Sequence, residues 1–95
     1  MGDEAIEISG RNAATFSLSV AIANSGVLEK GAYDLVSDVA TSVAIERATP
    51  VPALTTANGY PLPANTIKTF RVGEGQAIYA IAGGAGTLKY IKVGN

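Results

Sequence analysis

From Thr15 to Ala23 the chain alternates without a break. Phe16, Leu18, Val20 and Ile22 fall on one side, with Thr15, Ser17, Ser19, Ala21 and Ala23 on the other. That two-residue period belongs to a strand with one side against a core, whereas a helix would scatter the same positions around its axis. Shorter runs repeat the pattern. Glu4 to Ile8 sets Ile6 and Ile8 on one side before Ser9-Gly10-Arg11-Asn12 breaks it. After Asn24-Ser25-Gly26 come a short Val27-Leu28, a turn at Glu29-Lys30-Gly31 and a run from Ala32 to Ser37.

Val39 to Arg47 reads as a strand with Val43 and Ile45 inward, and it is the one segment where a short helix stays open. Pro50 and Pro52 have no N–H for a ladder, so residues 49–55 are expected as an edge strand or a loop. Asn58-Gly59-Tyr60-Pro61-Leu62-Pro63 is dense in turn formers. Thr66 to Val72 is the next strand, with Ile67, Phe70 and Val72 apolar, and Gly73-Glu74-Gly75 closes it. Gln76–Ala82 and Thr87–Val93 flank Gly83-Gly84-Ala85-Gly86 and make the strongest hairpin of the chain, its glycines expected at positive φ.

Seven to eight short antiparallel strands at roughly 8–12-residue spacing predict an all-β fold, a small β-sandwich or barrel of jelly-roll-like kind. The expected organisation is an N-terminal arm or first strand over residues 1–12, then a single β domain over 13–95.

Composition narrows the chemistry. Of 95 residues 47% are hydrophobic and 16% charged, against about 25% charged in an average soluble domain. A core this small is marginal alone, so some apolar surface is expected to lie against another subunit. The net charge of −1 supplies no field for a phosphate backbone, and no nucleic-acid partner is expected. With no Cys and no His, disulfides, thiolate or imidazole zinc sites, and triads built on His or Cys are excluded. Met1 to Ile6 lacks the basic and apolar regions of a secretory signal, and the small-and-apolar stretch Ala77 to Gly86 is too short for a membrane span. A soluble chain made in the cytoplasm, with no membrane contact, is expected.

Little catalytic material remains. Asp34 and Asp38 would pair on a helix, but their segment reads as strand and turn, so they are expected as solvated or turn-capping groups. Gly83-Gly84-Ala85-Gly86-Thr87-Leu88-Lys89 has a superficial Walker look, without a Lys directly after the last Gly and without a following helix. Tyr33, Tyr60, Tyr79 and Tyr90 offer rings for a sugar platform, and Tyr79 and Tyr90 beside Lys89 and Lys92 a weak single-strand surface; rings packed at the core margin is the simpler reading. No catalytic residue, metal ligand, cofactor or small-molecule substrate is expected.

Gly31-Ala32-Tyr33-Asp34-Leu35-Val36-Ser37, Val43-Ala44-Ile45, Leu62-Pro63-Ala64-Asn65-Thr66, Phe70-Arg71-Val72 with its glycine turn, and Gly86-Thr87-Leu88 form a recognisable series. Over Gly31 to Val93 the chain resembles small proteins from the virion gene clusters of tailed bacteriophages, most closely head decoration, or cement, proteins. The resemblance covers about two thirds of the chain and carries no catalytic motif. It implies a structural protein of the virion that sits on the capsid surface and bridges subunits of the major capsid protein. The logic of symmetric lattices adds a homotrimer. Two other roles fit a small β domain: a head-fibre base, tail or fibre-attachment part, and a carbohydrate-binding module. Candidate interface residues are Ile6 and Ile8 on the arm, whose extended backbone suits addition to a sheet edge, and Tyr60, Pro61, Leu62 and Pro63, a loop stiffened by its prolines.

Overall fold

The computed structural model describes residues 13–47 and 53–94. Within them lie eight strands and no helix: β1 (Ala14–Leu18), β2 (Ala23–Val27), β3 (Gly31–Ser37), β4 (Thr41–Arg47), β5 (Tyr60–Leu62), β6 (Lys68–Val72), β7 (Gln76–Ala82) and β8 (Gly86–Gly94). They form two four-stranded antiparallel sheets, β1-β8-β3-β6 and β2-β7-β4-β5. The fold is therefore the all-β sandwich expected, and not a closed barrel. The arm of residues 1–12, Pro50 and Pro52 lie outside the described residues.

The pairing has a simple rule. β1 lies beside β8, β2 beside β7, β3 beside β6 and β4 beside β5, all antiparallel. This is one long hairpin rolled up, with β3–β8 and β4–β7 contacts completing each sheet. It is the eight-stranded jelly-roll arrangement. Every connection except β4 to β5 therefore carries the chain from one sheet to the other.

That rule corrects several expectations. The Thr15–Ala23 alternation is real but is not one strand. β1 stops at Leu18, Ala82 N–H donates to the Ser19 carbonyl at 3.0 Å, and Ala21 N–H donates to Ser19 Oγ at 3.1 Å as the chain crosses. Phe16 and Leu18 face the core, while Val20 is 71% exposed at the crossing. Asn24-Ser25-Gly26 does not separate strands but forms a bulge inside β2, where Gly26 has φ +80° and its N–H donates to Asn24 Oδ1. Of Val39–Arg47, the part from Thr41 is strand, β4, with Val43 in the core and Ile45 packed on it, while Val39 and Ala40 belong to the crossing.

The predicted β7–β8 hairpin does not exist. β7 is flanked by β2 and β4, and β8 by β1 and β3, so Gly83-Gly84-Ala85 is a crossing between sheets. The physical reason is that β7 packs one face (Ile78, Ala80, Ala82) on the opposite sheet, to which β8 belongs with Leu88 in the same core, so the two strands face each other across the core instead of sharing a ladder. Nor do Gly83, Gly84 or Gly86 take positive φ. Gly86 is needed for close approach, since a Cβ there would strike the Val39 side chain and stand 2.9 Å from an Asp38 carboxylate oxygen.

Between the sheets lie Leu18, Tyr33, Leu35, Val43, Leu62, Val72, Ile78, Ala80, Ala82 and Leu88. Phe16, Tyr90 and Tyr33 form a tilted inner row, with ring centroids 6.0 and 6.3 Å apart. At the β3–β4 crossing Thr41 Oγ1 lies 3.1 Å from Ser37 Oγ and 2.8 Å from the Val39 carbonyl oxygen. Among the described residues no buried side-chain nitrogen or oxygen lacks a hydrogen-bond partner.

Candidate interaction surface

The two outer faces of the sandwich are treated differently by the chain. On sheet β2-β7-β4-β5 the outward residues of β7 are Ala77 and Tyr79, both buried, and Ile81. Leu54 from the β4–β5 connection covers them, with Ile22 and Ala44 completing a second small core. The covering loop is held by its own polar groups. Asn58 Oδ1 accepts the Thr55 N–H at 2.8 Å, Asn58 Nδ2 donates to the Ala53 carbonyl at 3.0 Å, and Ser42 Oγ donates to the Thr56 carbonyl at 2.9 Å. Gly59 is pressed so close to Leu54 and Ser42 that a Cβ would stand 2.7 Å from each.

On sheet β1-β8-β3-β6 no described segment lies across the outer face. Along β3 the buried residues Gly31, Tyr33, Leu35 and Ser37 alternate with half-buried Ala32, Asp34 and Val36, which face outward. Register sets Lys89 beside Val36, and Ile91 and Thr69 on either side of Asp34. Asp34, Val36, Ile67, Lys89 and Ile91 line one shallow depression of about 160 Å³. Ile67 is 66% exposed at its rim. Asp34 is held by the Thr69 hydroxyl, which donates to its carboxylate.

The sequence-predicted interface residues do not come together as one patch. Ile6 and Ile8 lie outside the described residues. Tyr60-Pro61-Leu62 is not a loop but the edge strand β5, paired with Val43, Ser42 and Thr41. Leu62 is corrected from interface to core: it is 1% exposed, because the strand period turns it inward opposite Thr41. Tyr60 is 52% exposed, edge-on to Phe70 at 5.3 Å, with Lys68 Nζ 5.6 Å from its ring centroid. Pro61 and Pro63 are exposed and line a broad, open groove of about 520 Å³ with Ser42, Thr56 and Ile81. Pro61 also leaves this edge one N–H short, which blunts it against casual strand pairing.

Sequence reasoning missed the β1-β8-β3-β6 face. One signal was present: Ile67 is out of step with Phe70 and Val72, so a strict two-residue period sends it to the opposite side of the strand.

The other candidate chemistry disperses. Tyr33 and Tyr79 are buried, and Tyr90 faces inward, where burial raises its phenol above the ordinary value of 10.0. Only Tyr60 presents much of its ring, so the four tyrosines form no common platform. Asp38 caps a crossing, accepting the Thr87 N–H at 2.8 Å. Among the described residues no three acids cluster, and no helix is long and apolar enough to cross a membrane. No protein-family model, curated protein or solved structure matches the chain.

Proposed function

We propose that this chain is a head decoration protein of a tailed bacteriophage, which binds the outer capsid surface and bridges subunits of the major capsid protein. The observation that carries the reading is the asymmetry of the sandwich. One outer face is sheathed by the chain's own Leu54 loop, and the other presents an exposed Ile67 beside half-buried Val36 and Ile91, with Asp34 and Lys89 in the same depression. An exposed isoleucine set among partly exposed aliphatic and polar groups suits a protein-binding face. The resemblance over Gly31–Val93 supplies the partner. The role is mechanical and involves no bond-making step. Each copy adds a modest contact, and a trimer bound at a three-fold position sums three of them through avidity. The protein is made in the host bacterial cytoplasm and ends on the virion surface.

The test is genetic and thermal. Particles lacking the protein should release DNA at lower temperature than complete ones, and the purified protein should restore the difference. Equal heat tolerance with and without it would overturn the cement role. A copy number far below that of the major capsid protein would assign the chain to a tail or head-fibre base instead.

A further inference from the structure

Asn58-Gly59 is the one place in the sequence where an asparagine precedes a glycine; Asn12, Asn24 and Asn65 precede Ala13, Ser25 and Thr66. An asparagine so placed reacts with its own backbone when the chain around it is free to turn. Gly59 has no Cβ, so its peptide nitrogen is unhindered and has the freedom to reach the Asn58 carboxamide carbon. A bond forms between Gly59 N and Asn58 Cγ, the Gly59 N–H proton passes to water, and the side-chain nitrogen leaves as ammonia. Water then opens the resulting succinimide at either carbonyl and leaves aspartate or isoaspartate. One water is consumed, one ammonia is released, and no oxidant or reductant takes part.

The fold restrains both partners of this reaction. Asn58 is exposed to water, yet both ends of its carboxamide are engaged within the loop. Its Oδ1 accepts the Thr55 N–H at 2.8 Å, and its Nδ2 donates to the Ala53 carbonyl at 3.0 Å. Its own N–H stands 3.2 Å from Thr55 Oγ1 and 3.3 Å from the Thr55 carbonyl oxygen. Gly59 is wedged where a Cβ would lie 2.7 Å from the Leu54 and Ser42 side chains and 3.0 Å from Val43 N. Attack requires the carboxamide to leave its two partners and turn to Gly59, so the closed loop opposes it.

The same contacts decide what the reaction does to the structure. Aspartate at position 58 keeps an oxygen for the Thr55 N–H, but the atom facing the Ala53 carbonyl becomes an acceptor, and two acceptors repel. Isoaspartate in addition lengthens the main chain by a methylene group beside the wedged Gly59. Leu54 of this loop is what covers Ala77 and Tyr79.

We propose that Asn58 is a modification site whose succinimide chemistry is gated by opening of residues 53–59. Once Asn58 is converted the loop no longer closes, and Ala77 and Tyr79 on the outer face of β2-β7-β4-β5 lose their cover. The change runs one way, because the released ammonia is not recaptured. It concerns the isolated protein and stands independently of the capsid reading.

The test is peptide mapping by mass spectrometry of the full chain aged in mildly alkaline buffer, folded and in urea. Three side-chain hydrogen bonds close the loop, two from Asn58 and one from Ser42 Oγ to the Thr56 carbonyl. At about fivefold in the opening equilibrium for each, the folded chain should convert at Asn58 about a hundredfold more slowly than the unfolded one. Ser42→Ala, and Thr55→Ala at an exposed position, each remove a loop partner and should speed the folded reaction about fivefold. Equal folded and unfolded rates, rates unmoved in both variants, or earlier conversion at another asparagine would overturn the proposal. Converted protein separated by ion exchange should show shifted NMR lines for the Leu54 methyls and the Tyr79 ring, with those of Leu35 and Leu88 in place. Unmoved Leu54 and Tyr79 lines would overturn the loss of the cover, and so would displaced Leu35 and Leu88 lines, which would mean general unfolding.

Discussion

Asp38 and Thr87 tie two sheet-to-sheet crossings together. The Asp38 carboxylate accepts the Thr87 N–H at 2.8 Å, and the Asp38 N–H donates to the Thr87 carbonyl at 3.3 Å. One residue belongs to the β3–β4 crossing and the other to the start of β8, so a single side chain fastens both connections at one end of the sandwich. Asp38→Ala should cost about 1–2 kcal/mol, the range for a hydrogen bond to a charged group with partial solvent access. Asp38→Asn, which keeps an acceptor oxygen, should recover a good part of it. Urea unfolding of the two variants checks this; indistinguishable stabilities would mean the carboxylate does not fasten the crossing.

The glycines of the β7–β8 crossing should separate sharply. At Gly86 a methyl group collides with Val39, and Gly86→Ala should destabilise by about 1–3 kcal/mol, as overpacking does. At Gly83 and Gly84 nothing stands within 4 Å of an added Cβ, and φ is not positive, so Gly83→Ala and Gly84→Ala should be close to neutral. Thermal melts of the three variants decide it, and a common penalty would argue for a general loss of turn flexibility instead.

Leu62 and Tyr60 are two residues apart on β5 yet should behave as different classes. Leu62→Ala opens a cavity in the core and should cost about 2–5 kcal/mol. Tyr60→Ala loses an edge-to-face contact with Phe70 and a cation over its ring, a cost of about 0.5–1.5 kcal/mol. Denaturant midpoints with unchanged slopes should show that order.

Tyr90 makes stability fall at high pH. Burial raises its phenol above the ordinary 10.0, so in the folded state the neutral form persists after the unfolded chain has begun to ionise. The resulting stabilisation is fully present below pH 10 and is lost as pH rises from about 10 through the raised folded value. Tyr90→Phe should flatten that part of the profile. Urea midpoints measured across the alkaline range test the point, and parallel profiles for the two proteins would refute it.

Ile67 should matter to binding and not to folding. It is exposed, so Ile67→Ser is expected to change stability by no more than about 0.5 kcal/mol. If the β1-β8-β3-β6 face meets the capsid, the same change should weaken attachment by about 1–2 kcal/mol per site, seen as lower occupancy on particles stripped and refilled with variant protein. Normal occupancy would move the docking surface elsewhere.

The sequence by itself determined the class of the fold and the rough position of most strands. Those facts follow from a two-residue period, from glycine and from proline, all of which act within a few residues of chain. The two-sided burial of β7, the edge position of β5 and the inward turn of Leu62 followed only from which strands became neighbours. Alternation assigns side chains to two faces of a strand and cannot say what covers either face. Tyr79 and Ile91 occupy comparable outward positions on central strands, yet Tyr79 is buried beneath the Leu54 loop and Ile91 is left half-buried at an open depression. That difference depends on contacts between residues far apart along the chain, so only the tertiary structure decided which outer face of the sandwich the Leu54 loop covers.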